Sequence, residues 1–227
     1  MTISLIEQII RELQRLSKRE RKQKIAEYLK TSSLDFMGVE LPDIHRTVKN
    51  SIKGLKLEDL PGVMEELWSK KIFEVRLAAI DVLKVYAKKG SLEVAMKLAD
   101  KWVGEGDTWG IIDPLCSPTI GSMILRDSNI ETTLRSWQTS ENFWRRRASV
   151  LPYLYLALKT QYVPEFNDNI LRAVTPHISD EEFFVAKAAG WVLRELSKRD
   201  PKVVQAYFKE NRKRMSKLVI REGSKKL

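Results

Sequence analysis

The sequence predicts an all-α protein, and three observations carry that prediction. Apolar residues recur at helical spacing from one end of the chain to the other. Strand-like alternation is nearly absent. Breakers (Gly38, Gly54, Gly62, Gly90, Pro164, Pro176 and Pro201) fall between the periodic segments, where connections belong.

Taken in order, Ile3, Ile6, Ile9, Ile10 and Leu13 form the first apolar stripe. Ser17 to Glu20 reads as a capping box that opens the next helix. Ser128 to Glu131 and Ser179 to Glu182 repeat that signature, each ahead of an apolar-periodic run. The whole chain reads as about a dozen helices of roughly 10–20 residues with short connections. No low-complexity linker interrupts it, so residues 1–227 are read as a single domain.

Many short helices in series leave two architectures: a globular helical domain, or a solenoid of stacked helix pairs. A period of about 35–45 residues can be drawn, the spacing expected of HEAT-type repeats. The segments beginning at Glu58, Ser91, Ser128 and Pro164 each supply one helix and then a more apolar second.

The composition narrows the function. The 227 residues hold 40 Lys+Arg against 30 Asp+Glu, a net charge of +10 that biases the chain toward polyanions. A single Cys rules out a disulfide framework and any multi-Cys zinc site. The N-terminus acquires charge too early for a signal peptide. No apolar run approaches the roughly 18 residues of a membrane helix. A soluble, cytoplasmic protein without metal, cofactor or membrane partner is expected.

The segment from Ser179 to Arg199 carries the functional argument. On a wheel of about 100° per residue, Val185, Ala189, Val192 and Leu196 share one side. Phe183, Lys187, Trp191, Arg194 and Lys198 gather on the opposite side. That far stripe is either a packed Trp among solvated cations or a platform of aromatic faces with cations beside them for phosphates. Its opposition to a complete aliphatic core face favours the platform. Gly190 would leave the surface shallow beside Trp191.

Two further clusters stand out. In residues 141–159, Arg147 shares an apolar face with Phe143, Trp144, Leu151 and Leu154, so it must be paired or line a cleft. Arg145 and Arg146 point elsewhere and are read as solvated, and Pro152 should kink or divide the helix. In residues 106–118, Trp109 and Asp113 meet on one face if the stretch is helical. Pro114 disfavours helical geometry at Asp113, and the alternative reading of Asp113 is a cap on the next turn. His45 and His177 read as structural or solvated, and Cys116 as a small apolar residue.

Together these clusters resemble the AlkD-like DNA alkylation repair family, the HEAT-like-repeat DNA glycosylases. The resemblance rests on Glu66-Leu67-Trp68, Trp109 with Asp113 and Gly121, and Trp144 to Ala148. The run from Phe184 to Glu195 is its most specific part, and Tyr28 with Phe36 to Pro42 matches the family's N-terminal segment. It implies a right-handed, C-shaped solenoid of HEAT-like repeats whose concave basic face holds duplex DNA. It also implies excision of cationic alkylated purines, of the 3-methyladenine and 7-methylguanine type, without base flipping. Carried over, Trp109 and Trp191 flank the lesion's backbone and Asp113 faces the deoxyribose. Tyr28, Arg147, Lys187, Arg194 and, on the same stripe, Lys198 contact the DNA. A monomer associated with the nucleoid when bound to DNA is expected. The sequence departs from the family pattern at His45, Gly110, Pro114 and Leu218.

The residue types suit that chemistry. An alkylated purine is already a cationic leaving group, so the barrier lies in oxocarbenium character on the sugar. An ionised carboxylate aimed there stabilises that charge and orients water. Tryptophan faces attract a cationic sugar or base by about 0.5–2 kcal/mol each. Two other readings fit the charge alone: a non-catalytic HEAT-repeat protein that binds damaged or branched DNA, and a helical-repeat scaffold for an acidic protein partner.

Overall fold

The first apolar stripe becomes α1, Leu5–Arg15, with Ile6, Ile9 and Leu13 buried. Ser4 caps it: its hydroxyl accepts from the Glu7 amide at 3.2 Å while Glu7 accepts from the Ser4 amide at 3.3 Å. The structure, a computed structural model, describes residues 4–227; Ile3, counted in the first stripe, lies outside them. The described residues are all-α, apart from one isolated bridge between Asp35 and Ile72. They form two compact units, divided between Pro114 and Leu115.

In the first unit, α2 covers Arg19–Tyr28, α3 Leu41–Ser51 and α4 Leu60–Trp68. Next come α5 at Phe73–Tyr86, α6 at Leu92–Glu105 and α7 at Trp109–Pro114. The central element is α5, buried on nearly every side and packed by α3, α4 and α7. Val75, Ala78, Ala79, Val82 and Leu83 are fully buried on it. Burying each larger aliphatic contributes about 1.5–3 kcal/mol.

The expected capping box at Ser17 to Glu20 is not formed. Lys18 stands at the N-cap of α2 without a side-chain cap bond. The chain's own backbone meets that end instead, the Lys18 amide donating to the Gly38 carbonyl at 3.1 Å. Gly38 has φ of 85°, and a Cβ there would lie 2.4 Å from the Lys18 carbonyl oxygen. Only glycine permits both the conformation and the approach.

The second unit opens with a π-helical turn, Leu115–Ile120, followed by α8 at Gly121–Ile124 and α9 at Ile130–Trp137. Then come α10 at Phe143–Val150, α11 at Pro152–Leu156 and α12 at Asn167–Val174. The chain finishes with α13 at Phe183–Ser197, α14 at Pro201–Asn211 and α15 at Lys217–Gly223. Pro152 divides α10 from α11, as its missing N–H and fixed φ require. The other two expected capping boxes are displaced. Asn129 stands at the N-cap of α9 with no side-chain bond, and Glu182 caps α13 by accepting from the Phe184 amide at 3.4 Å. Three of the four helix pairs expected from the repeat pattern are packed together, α4 with α5, α9 with α10, and α12 with α13; the pair expected from Ser91, α6 with α7, is not packed to that extent.

Candidate functional site

The acid site begins with α7. Thr108, fully buried, offers its carbonyl to the Ile111 and Ile112 amides at 3.1 Å each, and its hydroxyl accepts from the Gly110 amide at 3.3 Å. Ile111 and Ile112 are fully buried and anchor the helix. Trp109 and Asp113, four residues apart in this helix and both half-buried, therefore share a face. The helix runs through Asp113 to Pro114, so the condition set for the shared face is met despite the proline. The buried isoleucines outweigh the local bias against helix before proline, and the turn that follows Pro114 is of the wider π type.

Tyr28, the last residue of α2, sets its ring edge-on to Trp109, with centroids 5.1 Å apart and planes at 88°. Tyr28 is 72% exposed, which leaves most of its side chain open to a ligand. Gly110 permits this approach. A Cβ there would lie 2.9 Å from Leu29 Cδ1 and 3.0 Å from the Phe73 ring, so a side chain would press on the residue next to Tyr28.

Sequence reasoning missed two acids of this region. Asp107 accepts from the Ser32 hydroxyl at 3.0 Å, the Ser33 amide at 2.5 Å and the Ser33 hydroxyl at 2.8 Å. Glu74, 1% exposed, accepts from the amides of Met37, Gly38 and Val39 at 2.8, 2.7 and 3.3 Å. An Asp just ahead of a helix is a detectable cap signal, although these oxygens serve a distant loop. Glu74 carries no local signal at all.

The second unit holds the other predicted residues. On α13, Val185, Ala189, Val192 and Leu196 are fully buried, as the wheel requires. Phe183 is 48% exposed, with the Lys187 ammonium over its ring at 5.2 Å. Trp191 is half-buried on the same helix. Arg194 pairs with Glu222 at 3.1 Å, and Lys198 with Glu195 at 2.5 Å. Lys225 bonds Glu222 as well, at 2.7 Å. Lys225 above all, with Arg194 and Arg221, holds the Glu222 carboxyl below the usual carboxylate range.

Three readings of this unit need correction. Gly190 is buried and leaves no shallow surface: a Cβ there would meet Glu222 Cβ at 2.6 Å, so the glycine lets α15 pack against α13. Arg146 is not solvated. It pairs with Asp180 at 2.8 Å and donates to the carbonyls of Ser140 and Glu141. Arg145 lies over the Trp137 ring, 5.8 Å from its centroid. The odd cation of the apolar stripe, Arg147, is 4% exposed and donates to the Phe184 carbonyl, which joins α10 to the first turn of α13. That bond satisfies the demand for a partner by burial.

The remaining singled-out residues are placed plainly. His177 is fully buried, its Nε2 2.7 Å from the Ser149 hydroxyl. His45 is exposed and hydrogen bonds through Nδ1 to Asp81. Cys116 is buried. Among the described residues, no group of three or more His, Cys, Asp and Glu could hold a metal ion. Among them too, no helix is long and apolar enough to cross a membrane.

An all-helical chain of net charge +10 with Lys187 over the exposed Phe183 ring is a helical protein of the class suited to polyanions. The chain belongs to the DNA alkylation repair enzyme family, whose family model matches residues 9–227. Family membership makes DNA its partner. It is similar to a predicted DNA alkylation repair enzyme from Enterococcus faecalis, with 29% identity and a TM-score of 0.79 over 93% of this chain and 96% of that one. AlkD2 from Streptococcus mutans shares the fold, at 20% identity and a TM-score of 0.65 over 90% of this chain and 98% of that one. No curated protein matches the sequence.

Proposed function

We propose that this protein is a monofunctional DNA glycosylase that hydrolyses the N-glycosidic bond of positively charged alkylated purines in duplex DNA, without base flipping. The observation that supports this reading best is the pairing of Trp109 and Asp113 on one face of α7, with Tyr28 set edge-on to Trp109. In the reaction, the C1′–N bond breaks and the electron pair leaves with the purine, which becomes neutral. The sugar acquires oxocarbenium character, which the Asp113 carboxylate stabilises, and water adds at C1′ with loss of a proton. Trp109 and Tyr28 supply aromatic faces toward cationic sugar or base.

Trp191 and Lys187 on α13 are assigned contacts to the same duplex, with Arg194 and Lys198 reaching phosphates beyond their Glu partners. The groove role inferred for Arg147 is best assigned to holding α13 in place. The protein works as a monomer in the cytoplasm and joins the nucleoid when it binds DNA. The test is release of 7-methylguanine and 3-methyladenine from alkylated duplex at moderate temperature, without heating. Release above the spontaneous rate is expected. Tight, salt-sensitive duplex binding with no release would instead favour a non-catalytic damage-binding protein.

A further inference from the structure

We propose that Asp107 is a positioning residue for the Tyr28–Trp109 pair, acting through the loop that follows α2. Its part in the reaction rests on the glycosylase reading, whereas its part in the geometry does not.

The need for such a device follows from α2 itself. Ile25 is the only residue that α2 buries, and Leu29 just past its end is the next, so few packed side chains fix the end that carries Tyr28. The loop beyond it is held at two places. At its far end, Glu74 takes three backbone amides, and Asp35 exchanges backbone bonds with Lys71 and Phe73 at 3.0 and 2.8 Å. These bonds tie that end to the start of α5. At its near end, three bonds from Ser32 and Ser33 converge on Asp107. Ser32 in turn donates its amide to the Leu29 carbonyl at 2.9 Å, one residue from Tyr28. Asp107 stands two residues before Trp109, so a single carboxylate fixes both partners of the ring contact from the chain beside each.

The chemistry of the acceptor suits this role. An ionised carboxylate takes several donors at once and makes shorter, stronger bonds than a neutral acceptor. An Asp ahead of a helix ordinarily spends its oxygens on that helix's own first amides. Here both oxygens are engaged by residues 74 and 75 positions away. Such a clamp sets the angle at which α2 ends against α7.

The test uses the full-length protein labelled with 5-fluorotryptophan. Its six tryptophans give six fluorine resonances, and Trp109→Phe identifies that of Trp109. Tyr28→Leu calibrates the shift caused by loss of the phenol edge. Asp107→Ala should move the Trp109 resonance in the same direction and leave the other five in place, with Asp107→Asn falling between it and the unaltered protein. Tyr28→Leu added to Asp107→Ala should move the resonance no further than Tyr28→Leu alone. If Asp107→Ala unfolds the protein, Ser32→Ala with Ser33→Ala removes two of the three donors and should produce the same movement. A Trp109 resonance unmoved in the folded variant, or unmoved by Tyr28→Leu, overturns the proposal. Single-turnover release of 7-methylguanine by Asp107→Ala should fall by up to about a hundredfold, as misplacement of a substrate-facing group does. Absence of release by the unaltered protein would overturn the glycosylase reading and leave the spectrum to judge Asp107.

Discussion

The Tyr28 ring meets the Trp109 indole edge-on, 5.1 Å between centroids and 88° between planes. In that arrangement the positive edge of one ring lies on the negative face of the other, worth about 0.5–1.5 kcal/mol beyond buried area. Tyr28→Phe keeps the edge and should leave excision near the unaltered rate. Tyr28→Ala should lower excision while costing less than about 1.5 kcal/mol of stability, because a residue 72% exposed has little packing to lose. Paired kinetic and urea-unfolding measurements on the two variants check both halves.

Trp191 offers a different balance, since it is half-buried on a helix whose core face is complete without it. Trp191→Ala should weaken duplex binding and excision while costing under about 2 kcal/mol. Truncation of a fully packed Trp costs about 3–5 kcal/mol, so a loss of that size in the melting curve would show that Trp191 belongs to the core.

Gly190, one residue earlier, should behave in the opposite way. Alanine in a helix interior is intrinsically better than glycine by about 1 kcal/mol. Here its Cβ would stand 2.6 Å from Glu222 Cβ and 3.3 Å from the Gly223 amide nitrogen. Gly190→Ala should therefore destabilise the protein by about 1–3 kcal/mol, the ordinary cost of overpacking. A stabilised variant would mean that α15 is free to move away.

These neighbouring residues also show how far the sequence could be read. The aliphatic stripe of α13 and its opposed aromatic and cationic stripe follow from 3.6-residue periodicity, which is local and strong. The reason for Gly190 is the close approach of Glu222, a contact 32 positions away that no periodicity encodes. The same holds for the start of α2, where Gly38 replaces the expected Ser17 cap, and for Asp107 and Glu74, whose donors lie far along the chain. Arg147 was legible as a buried cation needing a partner, because burying a charge is costly anywhere. That its partner is the Phe184 carbonyl was not. Local pattern located the helices and the Trp109–Asp113 spacing; the long-range bonds that aim Tyr28 at Trp109 left no trace in it.

His177 provides a pH signature of the second unit. Burial above all, with Arg146 adding to it and Asp180 opposing, lowers its pKa from 6.5 to about 4. The unfolded chain therefore binds a proton below pH 6.5 that the folded chain refuses until about pH 4. Stability contributed by neutral His177 is complete above pH 6.5 and is lost as the pH falls through that window, by about 3 kcal/mol in full. His177→Gln, which can still donate to Ser149, should flatten the decline between pH 7 and pH 4.5 by about 2–3 kcal/mol in urea unfolding. Parallel pH profiles for the two proteins would sink this assignment.

Asp113 decides the chemistry. A carboxylate on the same helical face as Trp109 can stabilise an oxocarbenium-like sugar only through its full negative charge. Asp113→Asn keeps the shape and much of the hydrogen bonding of that side chain but removes the charge. The variant should fold, bind alkylated duplex as well as the unaltered protein or better, and release 7-methylguanine about 10²–10³ times more slowly, as loss of a preorganised electrostatic group does. Tighter binding is the natural companion of slower release, because a carboxylate near phosphates is repulsive in the ground state and useful only as positive charge develops on the sugar. A residue that merely ends or caps a turn behaves otherwise. Asn serves at such positions as well as Asp, so the exchange would then cost tenths of a kcal/mol and leave excision intact. Single-turnover release, a duplex titration and a melting curve on the same preparation separate the two cases. Excision by Asp113→Asn at the unaltered rate would remove the carboxylate from the mechanism, even if the protein proved to be a glycosylase.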